Sequence, residues 1–118
     1  MDKFLYFSTG DSANATNEAA VYPLSRMVGV DPISATTTEM KFLSADPKLG
    51  GTTAVYYDVI TFTHTSAANL KVIKDIFKAI GKETFKDSTP LVVICDKDNS
   101  EFASPDISDC TIEIGQAS

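Results

Sequence analysis

Residues 66–81, SAANLKVIKDIFKAIG, form the one stretch of this chain with clear helical periodicity, and their isolation decides the fold. Leu70, Ile73, Phe77 and Ile80 recur at helical spacing, and Val72, Ile76 and Ala79 widen the apolar stripe. Ser66 is placed to cap the amino end by accepting a free backbone N–H. Gly81 is placed to end the helix in the left-handed conformation. Burying the stripe would remove roughly four large side chains from water, each worth about 1.5–3 kcal/mol before entropy.

Everything around the helix reads as short strands separated by turns. Residues 4–7 (FLYF) and 91–95 (LVVIC) are unbroken apolar runs, the second a buried-strand pattern. Residues 19–24 (AAVYPL) form a strand that Pro23 makes an edge or brings to an end, because proline cannot donate to the ladder. Residues 36–43 (TTTEMKFL) alternate, with Thr38, Met40 and Phe42 on a buried face and Thr37, Glu39 and Lys41 on a wet one. Residues 54–65 (AVYYDVITFTHT) are apolar on both faces at their centre, with Asp58 the exception beside Ile60 and Phe62. A last short strand covers residues 111–114. Residues 10–17, 25–33, 46–51 and 96–109 carry turn signals, among them Gly29 and Asp31-Pro32. The expected object is mainly β, with one helix between the fourth strand and the later ones.

At 118 residues the chain makes one domain with a real core. No apolar run approaches the ~18 residues of a membrane span. The start, MDKFLYFSTGD, lacks the pattern of a signal peptide. A soluble protein of a reducing compartment is expected, in the cytoplasm. Cys95 reads as a buried small hydrophobe, and Cys110 sits beside acidic residues. In such a compartment the pair is expected as free thiols rather than as a disulfide. Two cysteines and one histidine cannot build a four-ligand structural zinc site, so no metal and no cofactor are expected. The net charge of −6 weighs against non-specific binding of nucleic acid, since phosphate is repelled at long range.

The helix carries the only basic stripe. Lys71, Lys74, Lys78 and Lys82 lie in one row, and Lys86 is read as extending it past the helix end. These lysines, with Arg26, the sole arginine, are the candidate contacts to phosphate. The plainer reading is a solvated face, because Asp75 is spaced to pair with Lys71 and Lys78. A catalytic pairing of His64 with Cys95 and Asp58 or Asp96 lacks any surrounding nucleophile motif, so no catalytic residue is assigned. The run Asp96-Lys97-Asp98-Asn99-Ser100-Glu101 opens like a calcium loop. It has Glu101 where glycine is needed and Ile107 where glutamate is needed, and so reads as a turn. Gly50-Gly51 lacks the lysine of a phosphate loop. Tyr6, Tyr22, Tyr56, Tyr57 and Phe102 would stack on bases if exposed, although strand aromatics are more often core or subunit interface.

The order FLYFSTGD, VYPLSRMVGV, TTTEMKFL, DVITFT, helix and TIEIG resembles small uncharacterised ocean-metagenome proteins of cyanophage origin. The resemblance implies an Sm-like fold, a strongly bent, open five-stranded barrel with a helix, assembling as a homo-oligomeric ring. It implies binding of RNA or single-stranded DNA, without enzymatic activity, inside an infected bacterial host. An alternative from the same origin is a virion or assembly protein with no nucleic-acid role. Arg26 precedes Met27 where the second Sm motif has an Arg-Gly pair, so no base-reading residue carries over. Residues 91–95 and 111–114 are the candidate edges for pairing between subunits.

Overall fold

The computed structural model describes residues 3–9, 19–43, 56–82 and 91–117. These residues form two four-stranded sheets and one α-helix, with no closed barrel among them. Eight strands thus stand where a bent five-stranded barrel was expected.

The first sheet is built on β1 (Phe4–Ser8). On one side β1 pairs antiparallel with β2 (Ala19–Pro23), from Phe4↔Pro23 to Ser8↔Ala19. On the other it pairs in parallel with β6 (Leu91–Asp96), and β7 (Glu101–Phe102) adds to β6. Parallel neighbours need a long crossover. Here it holds β2, three strands of the second sheet and the helix. Pro23 closes an edge strand, as its missing N–H dictates.

A 3-10 turn, Leu24–Arg26, leads into the second sheet. Its order is β3 (Met27–Ser34), β4 (Thr37–Leu43), β5 (Tyr56–His64) and β8 (Ile107–Ala117). The strand β3 falls where turn signals were read. It is an edge strand with bulges at Met27/Gly29 and Pro32/Ser34, so Gly29 and Pro32 sit where no full ladder is required. With β3 in place, the helix follows the fifth strand, not the fourth. The last strand is also longer than its apolar core, Thr111 to Ile114, suggested.

Alternation sets the core. Thr38, Met40 and Phe42 of β4 and Asp58, Ile60, Phe62 and His64 of β5 are buried, while Thr37, Glu39 and Lys41 are only partly covered. Val59, on the other face of β5, is buried as well, so the centre of this strand is covered on both sides. Phe7, Tyr22, Phe42 and Phe62 meet between the sheets. Tyr22 and Phe42 stack at 4.5 Å, and Phe7 lies 5.9–6.2 Å from Tyr22, Phe42 and Phe62. Such ring pairs add about 0.5–1.5 kcal/mol beyond their burial.

The helix α1 (Asn69–Lys82) begins later than its sequence cap predicts. Ala67 takes φ 63°, and the first helical bond runs from Val72 N–H to Ala68 O, so Ser66 lies outside the helix. Gly81 lies within it. Val72, Ile76 and Ile80 form the buried seam, whereas Leu70 and Phe77 are exposed at 63% and 42%. Two overlapping stripes satisfied helical spacing, and contact with the sheets selected one. Asn69 fixes the amino end. Its Nδ2 donates to Ser34 O at 2.8 Å and to Thr38 Oγ1 at 3.1 Å. No helix among the described residues is long and apolar enough to cross a membrane.

Candidate functional site

A groove of about 680 Å³ runs between α1 and the edge of the first sheet. One wall carries Lys71, Asp75 and Lys78, the floor is Leu91–Val93, and Glu101 and Phe102 stand opposite. The groove follows from an early departure of the chain. β7 pairs only with Cys95 and Asp96, and Ala103 N–H adds one bond to Ile94 O. The chain then turns at Ser104-Pro105 towards β8. Among the described residues no strand pairs with Leu91–Val93 on the side away from β1.

The basic stripe is divided. Lys71 lies 3.0 Å from Asp75 and 2.9 Å from Asp106, which ties the helix to the turn before β8. Ser104 Oγ donates to Asp75 at 2.7 Å and, with Lys71, holds that carboxyl below its usual range. Lys71, followed by Thr65, holds Asp106 down in the same way, and the two carboxylates hold Lys71 up. Lys78 lines the groove and makes no ion pair among the described residues. Lys74 is exposed and does not line it. The side chain of Lys82 and all of Lys86 lie outside the described residues, as does Gly50-Gly51. Arg26 sits on the turn between β2 and β3, where its Nε donates to Leu43 O at 3.4 Å. The structure therefore brings Lys71 and Lys78 together, and commits Lys71 to two carboxylates.

The face that sequence reasoning missed belongs to the first sheet. Two rows run across β2, β1 and β6: Val21–Tyr6–Val93 and Pro23–Phe4–Leu91. All six residues point away from the core, and none is charged. Val21, Leu91 and Phe4 are exposed at 49%, 40% and 37%, and the other three are half-buried. The signal was present in FLYF and LVVI, since an unbroken apolar run suits a strand covered on both faces. The outer face of the second sheet differs. Thr61 pairs with Thr111, and Lys41 contacts Glu39 at 3.7 Å and the Tyr57 ring at 5.8 Å.

The remaining candidates are absorbed by structure. The His64 Nδ1 faces Thr65 O at 2.8 Å, so Nδ1 carries the hydrogen and Nε2 accepts from Thr38 Oγ1 at 2.8 Å. Cys95 is buried against Cys110, not His64. Its hydrogen bond with Cys110, together with burial, pushes the thiol pKa far up, away from a nucleophilic thiolate. Asp96 accepts from Asn99 N–H at 3.3 Å and from Asn99 Nδ2 at 2.9 Å, which holds the calcium-like run as a turn. Among the described residues no group of three or more acidic, histidine or cysteine side chains is placed to hold a metal ion. Of the candidate stacking residues, Tyr22 is core, Tyr6 and Phe102 are half-buried, and the Tyr56 side chain lies outside the described residues. Comparison with protein-family models, curated proteins and solved structures finds no match to this chain.

Proposed function

We propose that this is a non-catalytic, self-associating β protein whose copies join through the first sheet into a closed ring, serving in phage assembly inside the infected host. The observation that carries this reading is the six-residue apolar face of β2, β1 and β6. Removing apolar surface from water drives association, and a face without charged residues adds no local repulsion between copies of a chain of net charge −6. The edges of the same sheet support the reading. Among the described residues β2 is an edge strand without charge or bulge, and β6 is open over Leu91–Val93. By contrast, β3 is protected by two bulges and Pro32, and β8 carries Asp109 and Glu113. Of the two edges expected from sequence, the β6 edge is favoured and the β8 edge is not. Head-to-tail addition of β2 to the next copy's β6 would extend one sheet around the ring. The Sm-like resemblance agrees with such an assembly.

Light scattering on a sizing column tests it. A mass of several subunits is expected, reduced by Val21→Lys, which places a charge on the edge strand β2. A monomer at all accessible concentrations would sink the reading.

Binding of RNA or single-stranded DNA is the second reading, favoured by the exposed Lys74 and by Lys78, which makes no ion pair among the described residues. Arg26, on the turn between β2 and β3, is the third candidate contact. Affinity for labelled strands that is lost on Lys74→Glu/Lys78→Glu, and that falls steeply with salt, is the expected result. No binding at low salt would remove it.

A further inference from the structure

The two cysteines meet where the sheets come together. A bulge at Tyr6/Phe7 shifts β6, so that Ile94 and Cys95 are buried in succession. On the second sheet Cys110 pairs with Phe62 and shares its inward face. Both side chains are sealed, at 0% and 1% exposure. The Cys110 thiol donates to Ser8 O at 3.6 Å, on the strand that pairs with Cys95, and it is close enough to Cys95 to raise the cost of ionising that thiol. β6 and β8 approach within 8 Å at their Cα atoms. A disulfide spans Cα separations of about 4.4–6.8 Å, inside the range over which these two strands approach.

We propose that Cys95 and Cys110 are a disulfide-forming pair that staples the first sheet to the second when the protein meets a small disulfide oxidant. One cysteine loses its proton and attacks a sulfur of the oxidant, expelling the other sulfur as a thiolate. The second cysteine loses its proton, attacks the protein sulfur of this mixed disulfide, and expels the remaining thiol. The two protein thiols give up two electrons and two protons, and one small disulfide takes both as its dithiol. Burial, with Asp96 and Asp109 nearby, keeps both steps slow until the β6–β8 contact opens. Once formed, the bond closes residues 95–110 into a loop that spans both sheets.

The full chain is incubated with excess oxidised dithiothreitol or glutathione disulfide, quenched in acid, denatured and labelled with a maleimide. Both thiols should vanish together, with a mass about 2 Da below the reduced chain and one cross-linked peptide holding both cysteines. The melting temperature should rise by about 10 °C and return on reduction. Two thiols still labelling at equilibrium, a stable glutathione adduct on one cysteine, or a disulfide-linked dimer would each overturn the proposal. In Cys95→Ser and Cys110→Ser the melting temperature should no longer respond to oxidant, and a wild-type response in either would also overturn it. Should both variants fail to fold, the thiol count of the native chain decides.

Discussion

The Tyr22 hydroxyl donates a 2.7 Å hydrogen bond to Asp58, joining the edge strand of the first sheet to the centre of the second. Both side chains are buried, and the Tyr22 ring stacks on Phe42, which pairs with Asp58 in the ladder. A carboxylate facing the core is thereby held where its neighbours Ile60 and Phe62 are wholly apolar.

Removing that donor should be costly. Tyr22→Phe keeps the ring and leaves Asp58 one donor short, so stability to urea should fall by about 1–3 kcal/mol. Tyr22→Phe combined with Asp58→Asn should lose less than the sum of the single changes. Full additivity in the double-mutant cycle would show that the two groups do not act together.

Burial first, and then Asp58, push the Tyr22 pKa well above its ordinary value. Its folded-state pKa exceeds the unfolded one, so this contribution is fully present below about pH 10 and is lost as pH rises towards the folded value. One tyrosine should therefore ionise only together with alkaline unfolding. Phenolate absorbance and circular dichroism recorded on the same samples would check this.

The Lys71 bridge acts at the other end of the pH scale. Asp75 and Asp106 titrate below their ordinary range, so their contribution is present above about pH 4 and is lost as pH falls through the folded values. In Lys71→Met the denaturation midpoint should depend less steeply on pH on the acid side. An unchanged acid limb would remove the bridge from the account. Because the groups are solvated, the loss at neutral pH should be small.

The helix offers a test of its seam. Ile76→Ala deletes fully buried volume and should cost about 2–5 kcal/mol. Leu70→Ala, equally apolar but exposed, should change stability by less than about 0.5 kcal/mol. Equal losses at both sites, measured by urea unfolding, would contradict the observed rotation of the helix.

Asn69 holds the first turn of that helix to the β3–β4 turn. Asn69→Ala should destabilise the protein by about 1–2 kcal/mol. Amide exchange should accelerate first at the amino end of α1, ahead of its carboxy end. Uniform acceleration along the helix would assign the loss to global stability instead.

Sequence alone determined that one helix lies among strands, that Thr38, Met40 and Phe42 face inward, and that Pro23 marks an edge. It also marked Asp75 as the residue to blunt the lysine row, from helical spacing. These are properties of residues adjacent in the chain, where a period of 2 or 3.6 fixes which side chains share a face. Tertiary structure decided the rest. Gly29 and Pro32 sit in a strand because β4 supplies a partner and the edge tolerates bulges. Ile76, rather than Phe77, enters the core because two sheets converge on that side of the helix. Asp106 reaches Lys71, and Cys95 reaches Cys110, only after β6 has paired with β1 and β8 with β5. The FLYF and LVVI runs showed apolar side chains on both faces, and only the strand order placed their outward halves side by side. Such pairings depend on which surfaces exclude water together, a property of the whole chain that no local window contains.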